Sequence, residues 1–252
     1  MKRTGRFVVL FILSLIMSTS LVFASSYKAN ISPSEALNRI AEGNNQFVKK
    51  HHYDYFKPYQ TSQHPFVTMI TCSDARVHSN VLLDDPIDKI FVIRNIGNQL
   101  VVSRGSIDYG ILHLHTPILL ILGHTHCGAV KAAMGDYSKE TEGIRKELDH
   151  LHIPLSKDDK KGNLETRWLR NVERNVDWQV IQAMSFYPEL VNQGKLVVVG
   201  AVYDFINAYG KGYGRMVIIN INGEKNPEKL KTHPIVKKLS KELKDLIIVT
   251  NH

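Results

Sequence analysis

Two cysteines and a histidine are the residues best suited to chemistry in this sequence. Cys72 opens the run Cys72-Ser73-Asp74-Ala75-Arg76, and about fifty residues later comes His124-Thr125-His126-Cys127-Gly128. Two thiolates and one imidazole form a standard zinc donor set, and three such ligands leave a fourth position for water, the catalytic arrangement. The His-x-x-Cys spacing lets two ligands from one turn reach the same ion. A helical pattern starts at Ala129, and the N-terminal end of that helix favours the thiolate of Cys127. Cys72 and Cys127 are the only cysteines in the chain. A disulfide between them is the alternative, and it leaves His124, Asp74 and Arg76 without a task.

Three further features lie close to these ligands. Asp74 and Arg76, two apart, read either as a surface ion pair or as part of a site, and their place beside Cys72 favours the site. Gly128 either lets backbone approach a substrate or only serves a strand-to-helix turn. His78, His113, His115 and His126 are candidates for proton relay, since imidazole titrates near neutral pH; the alternative for each is a structural or merely exposed ring.

The elements that must position these groups can be read from hydrophobic runs. Phe66 to Thr71, Ile90 to Ile93, Ile118 to Leu122 and Leu196 to Val199 are apolar and rich in β-branched residues, the pattern of buried strands. The first ends at Cys72 and the third leads into His124. Helices are expected from Gly105 to His113, from Ala129 to Met134 and from Leu164 to Met184. Ser32-Pro33-Ser34-Glu35 is a capping box that starts another. Alternating strands and helices predict an α/β fold, a mainly parallel four-stranded core sheet flanked by helices, with both cysteine clusters at its C-terminal edge, where open sheets bind ligands. The charged stretch 136–163 is expected to be a surface insertion, partly helical around Ile144 to Leu151. Ile247-Ile248-Val249 offers a last short strand.

The chain opens with Lys2, Arg3 and Arg6, an apolar run from Phe7 to Met17, and Val22-Phe23-Ala24. This is the pattern of a cleavable secretory signal over residues 1–24, too short to remain as a membrane anchor. The expectation is therefore an exported protein, periplasmic in a two-membrane bacterium, with one catalytic domain over 25–252 and no stable membrane anchor. The formal charge of +8 includes the three cations of that leader, and the other basic residues are interleaved with acidic ones, so nucleic acid is not an expected partner.

Cys72-Ser73-Asp74-Ala75-Arg76 followed by His124-Thr125-His126-Cys127 resembles the paired signature of the β-class carbonic anhydrases. Arg94-Asn95-Ile96-Gly97-Asn98, Gly105-Ser106-Ile107-Asp108-Tyr109, Asn175-Val176, Tyr187-Pro188 and Gly200-Ala201-Val202-Tyr203-Asp204 extend the resemblance over about residues 33–220. It implies one Zn2+ per chain on Cys72, His124 and Cys127, and reversible hydration of carbon dioxide to bicarbonate. It makes Asp74 a residue that either binds the metal or pairs with Arg76, which frees the fourth position for water. It also implies a substrate-pocket role for Gln63 and a homodimer or higher homo-oligomer. Hydrolysis of carbon disulfide or carbonyl sulfide on the same site is the enzymatic alternative. Bicarbonate-inhibited members carry a tryptophan where this chain has Met69, so that form of inhibition is not expected.

Overall fold

The computed structural model describes residues 31–249, so the leader and its cleavage site lie outside the described residues. Compact packing divides the described residues into two units, one ending at Pro58 and one starting at Tyr59. In the first, α1 (Pro33–Lys50) starts where sequence places it: the Ser32 hydroxyl accepts the Glu35 amide at 3.2 Å, with Pro33 in the first turn. The Phe47 and His51 rings stack at 4.1 Å near its end, followed by α2 (Tyr53–Phe56). No helix of the described residues is long and apolar enough to cross a membrane.

The second unit is built on five strands: β1 (Val67–Cys72), β2 (Ile90–Asn95), β3 (Ile118–His124), β4 (Val197–Asp204) and β5 (Arg215–Ile221). Their order is β2-β1-β3-β4-β5. The first four are parallel and are the four expected strands. The fifth, which pairs antiparallel with β4, is an addition to the expected sheet. Its run Val217-Ile218-Ile219 has the apolar character of the others. Ile248 makes a single parallel bridge to Ile218, so the expected last strand is reduced to one pairing.

Eight α-helices, with shorter helical turns, complete the described part of the unit. Arg104–Asp108 (α3) runs into a π-helical turn closed by the Leu114 amide on the Tyr109 carbonyl. Next come α4 (Gly128–Ala133), α5 (Glu142–Asp149), α6 (His152–Leu155), α7 (Leu164–Phe186), α8 (Pro188–Asn192), α9 (Pro227–Thr232) and α10 (Lys241–Ile247). The long α7 buries Trp168, Val172, Val176, Val180 and Ala183, a stripe at helical spacing, and lies against β3 and β4. It sits close because of glycine: a Cβ on Gly123 would come within 2.6 Å of a Val176 methyl.

The stretch 136–163 differs from a mere surface insertion. Leu148, Leu151 and Leu155 are buried in the main core. The Leu151 methyls lie 3.4 and 3.5 Å from where a Gly97 Cβ would stand. Its charged residues alternate with an apolar stripe, and the stripe packs inward.

Candidate metal centre

Parallel pairing of β1 with β3 carries Cys72 and the His124 turn to the same edge of the sheet. Cys72 is the last residue of β1, His124 the last of β3, and Cys127 precedes the first turn of α4. All three are buried, and one donor atom from each lies within 4.8 Å of the others, a group that could hold a metal ion. The two sulfurs stand 4.0 Å apart as free thiols, about twice the length of a disulfide bond.

The histidine is set for ligation. Its Nδ1 lies 2.9 Å from the Thr125 carbonyl oxygen, which can only accept, so Nδ1 carries the proton. That leaves the Nε2 lone pair buried with no hydrogen-bond partner. An orphaned acceptor beside two thiols is costly in a dry interior and fits a cation, and orienting a ligand histidine through its other nitrogen is the usual device of metal sites.

The thiols share their protons unequally. The hydrogen bond from Cys127 pulls Cys72 below the ordinary thiol value, burial opposes it, and the His124 ring and the Gly97 amide add to the lowering. Cys127 is raised, first by Cys72 and then by burial. The Gly97 amide donates to Cys72 Sγ at 3.5 Å and is itself held from behind, its carbonyl accepting Asn175 Nδ2 at 2.8 Å. Gly97 and Asn98 both have positive φ, 79° and 50°, the tight turn from which that amide is offered.

Asp74 and Arg76 are brought together as a fork. Asp74 Oδ1 accepts Arg76 Nε at 2.9 Å and the Arg76 amide at 2.9 Å, and Oδ2 accepts Nη2 at 2.7 Å. The guanidinium therefore holds the Asp74 carboxyl well below the usual carboxylate range, against partial burial. Asp74 Oδ2 also stands 3.8 Å from His124 Nε2, within a short swing of the ligand cluster. Arg76 lies 4.6 Å over the Phe205 ring, and Phe205 stacks at 6.0 Å on His124.

The remaining sequence candidates are placed more simply. Gln63 is exposed in the loop before β1, and no described contact joins it to the cluster. Gly128 is exposed at the start of α4, with open space where a Cβ would stand, so packing does not demand glycine there. His78 reaches Arg94 Nη1 at 3.4 Å, and His126 reaches Glu165 at 2.6 Å. His113 packs its ring on Tyr109 at 4.5 Å, and His115 sits at positive φ, 55°. Met69 is fully buried in β1.

Sequence reasoning did not identify the residues that brace these groups. Arg94, in β2, donates to the carbonyl oxygens of Cys72 and Asp74. Trp168, on α7, donates its indole N–H to the Cys127 carbonyl at 2.8 Å. The Arg94 segment belongs to the family-like pattern, but a role for its guanidinium needs the paired strands.

Comparison with known proteins gives these features a context. Residues 67–210 match a family model described as carbonic anhydrase. A carbonic anhydrase 2 of Mycobacterium tuberculosis is 27% identical over 186 residues, covering 69% of this chain and 89% of that protein. A carbonic anhydrase of Synechococcus elongatus is 34% identical over 108 residues, 39% of this chain and 40% of that protein. Among solved structures, a tetrameric β-carbonic anhydrase of Sordaria macrospora superposes with a TM-score of 0.64 at 23% identity, covering 74% of this chain and 98% of that one. A Coccomyxa β-carbonic anhydrase in complex with acetazolamide gives 0.62 at 24% identity, covering 84% and 96%.

Proposed function

The chain belongs to the carbonic anhydrase family, and from that premise we propose that it hydrates carbon dioxide reversibly to bicarbonate and a proton, with one Zn2+ per chain on Cys72, His124 and Cys127. The observation that carries this reading is the buried, unpartnered His124 Nε2 facing two free thiols. Zinc in that donor set supplies the Lewis acidity that makes water a competent nucleophile near neutral pH.

The chain's own residues do the rest. The Arg76 fork holds the Asp74 carboxylate, so Cys72, His124 and Cys127 would be the protein donors to the ion and a fourth position would be left for water. Without the fork, a carboxylate 3.8 Å from His124 Nε2 would turn to the cation. The Gly97 amide supports the negative charge on Cys72, and the Thr125 carbonyl keeps the His124 ring in its ligating tautomer. Phe205 walls the site between His124 and Arg76 with an apolar face, suited to an uncharged substrate.

The same reading extends to assembly and compartment. A homodimer or higher homo-oligomer is supported by β2, an edge strand whose Val92 is 39% exposed, and by Tyr109, 45% exposed, whose ring lies against Phe91 of that strand. Export rests on the leader pattern of residues 1–24 alone.

Stopped-flow hydration of carbon dioxide by the purified protein, beside zinc analysis, tests the proposal. Fast hydration that a chelator abolishes and zinc restores is the expected result. Zinc retained without hydration, with turnover of carbon disulfide or carbonyl sulfide, would overturn it.

A further inference from the structure

The turn between His124 and Cys127 is gripped from outside by one face of α7. Its second residue, His126, has a positive φ of 54°, uncommon for a side-chain-bearing residue. Its imidazole Nε2 lies 2.6 Å from Glu165 Oε2, and its ring stacks on Trp168 at 4.6 Å and 14°. Trp168 in turn donates to the Cys127 carbonyl oxygen at 2.8 Å. Glu165 and Trp168 are three apart on a helix and so share a face.

What this grip holds in place is the backbone of His126. Its carbonyl oxygen accepts Arg76 Nη2 at 3.2 Å, the same nitrogen that donates to Asp74 Oδ2 at 2.7 Å. Arg76 is 52% exposed, a long side chain that would otherwise have many rotamers open to it. With Asp74, the His126 carbonyl and the Phe205 ring around it, the guanidinium has one place to sit. A cavity of about 200 Å³, lined by Thr125, His126, Glu165, Leu169 and Ile206 among others, borders the turn. It gives the His126 ring room to move if Glu165 lets go.

We propose that Glu165 and Trp168 are positioning residues that hold Arg76, through the His126 backbone, in the arrangement that keeps Asp74 off the metal. The proposal rests on the zinc-site reading above and adds a control on its fourth position: α7 sets how often the site is open to solvent. Both residues act through the turn and neither belongs to the proposed donor set.

The test uses the full protein loaded with cobalt(II) in place of zinc, whose visible spectrum separates a site with four protein ligands from one with three and a water. Arg76→Ala supplies the spectrum of the site with Asp74 released onto the metal. Glu165→Ala is expected to keep its metal, move the spectrum part of the way towards that endpoint, and lower kcat/KM about three-fold, the size of a partly exposed charged hydrogen bond. Glu165→Gln, which retains a hydrogen-bonding group for His126, restores most of the difference. Trp168→Phe keeps the stacking but loses the indole donor, and shifts the spectrum in the same direction. Spectra and kcat/KM identical to wild type in all three variants would overturn the proposal. If Glu165→Ala sheds its metal, an unchanged spectrum and kcat/KM in Trp168→Phe overturns it equally. A wild-type protein that binds cobalt but does not hydrate carbon dioxide would defeat the proposed activity, while the spectra would still decide the grip.

Discussion

Arg94 is tied to the carbonyl oxygen of Cys72 by two hydrogen bonds, from Nε at 3.1 Å and Nη2 at 3.0 Å, and Nη2 reaches on to the Asp74 carbonyl at 2.6 Å. One guanidinium on the neighbouring strand thus fixes the backbone on which both a ligand and the Arg76 partner are carried. Arg94→Leu leaves those acceptors unpaired and is expected to cost about 2 kcal/mol, read as a lowered unfolding midpoint. Arg94→Lys presents a single point donor in place of a planar fork and is expected to recover only part of the loss.

Cys72→Ser replaces a thiolate with a hydroxyl that does not ionise near neutral pH. Zinc content is expected to fall far below one per chain, with hydration activity lost alongside. Full zinc retention in this variant would refute the ligand assignment. Serine nearly matches cysteine in size, so the fold should survive at this buried position, and circular dichroism checks that.

Two glycines near the site should answer differently to alanine. At Gly123 the added methyl would stand 2.6 Å from a Val176 methyl, so Gly123→Ala is expected to destabilise by about 1–3 kcal/mol through overpacking of β3 against α7. At Gly128 nothing lies within 4 Å, so Gly128→Ala should leave the unfolding midpoint almost unchanged. A lowered kcat/KM in Gly128→Ala at unchanged stability would show that the open space there is used by substrate.

Asp158 gives the fold a defined acid sensitivity. Arg167, bonded to it at 2.7 Å, is the main cause that lowers its pKa from the ordinary 3.8 to about 2, with the Lys160 amide and Asn171 adding to this against some desolvation. A carboxylate depressed in the folded state stabilises fully above its unfolded pKa and loses that contribution as pH falls through the folded value. Urea midpoints should therefore drop between about pH 4 and pH 2, and Asp158→Asn should flatten that part of the curve. An equally steep curve in the variant would place the acid sensitivity elsewhere.

The parts of this molecule that speak plainly in sequence are those whose residue type alone restricts their use. Cys72, His124 and Cys127 belong to few chemistries, and the run from Val67 to Thr71 can hardly be anything but a buried strand. β5 was harder to read because it follows the glycine-rich segment Tyr209–Gly214 and pairs antiparallel at the sheet's margin, outside the strand-helix alternation. The stretch 136–163 reads as surface because its charges dominate its composition, while the inward-facing Leu148, Leu151 and Leu155 are visible only once helices are drawn. Arg94, Glu165 and Trp168 are ordinary residues in an ordinary context. Their importance comes from partners 20 to 41 positions away, which no local pattern reports.

The two sulfurs reach one another across 55 positions of chain, one from β1 and one from the turn after β3. They become neighbours only when those strands have paired, so the unfolded polypeptide carries two independent thiols. In an oxidising compartment such a chain faces a race between two outcomes. A covalent link formed early would freeze a geometry that the finished sheet, with its sulfurs 4.0 Å apart, does not have. Capture of an ion by the completed edge would instead protect both thiols from oxidants for as long as it stayed bound. If the proposed export and zinc site hold, the order in which metal capture and thiol oxidation occur would decide whether a newly made chain keeps its donor set.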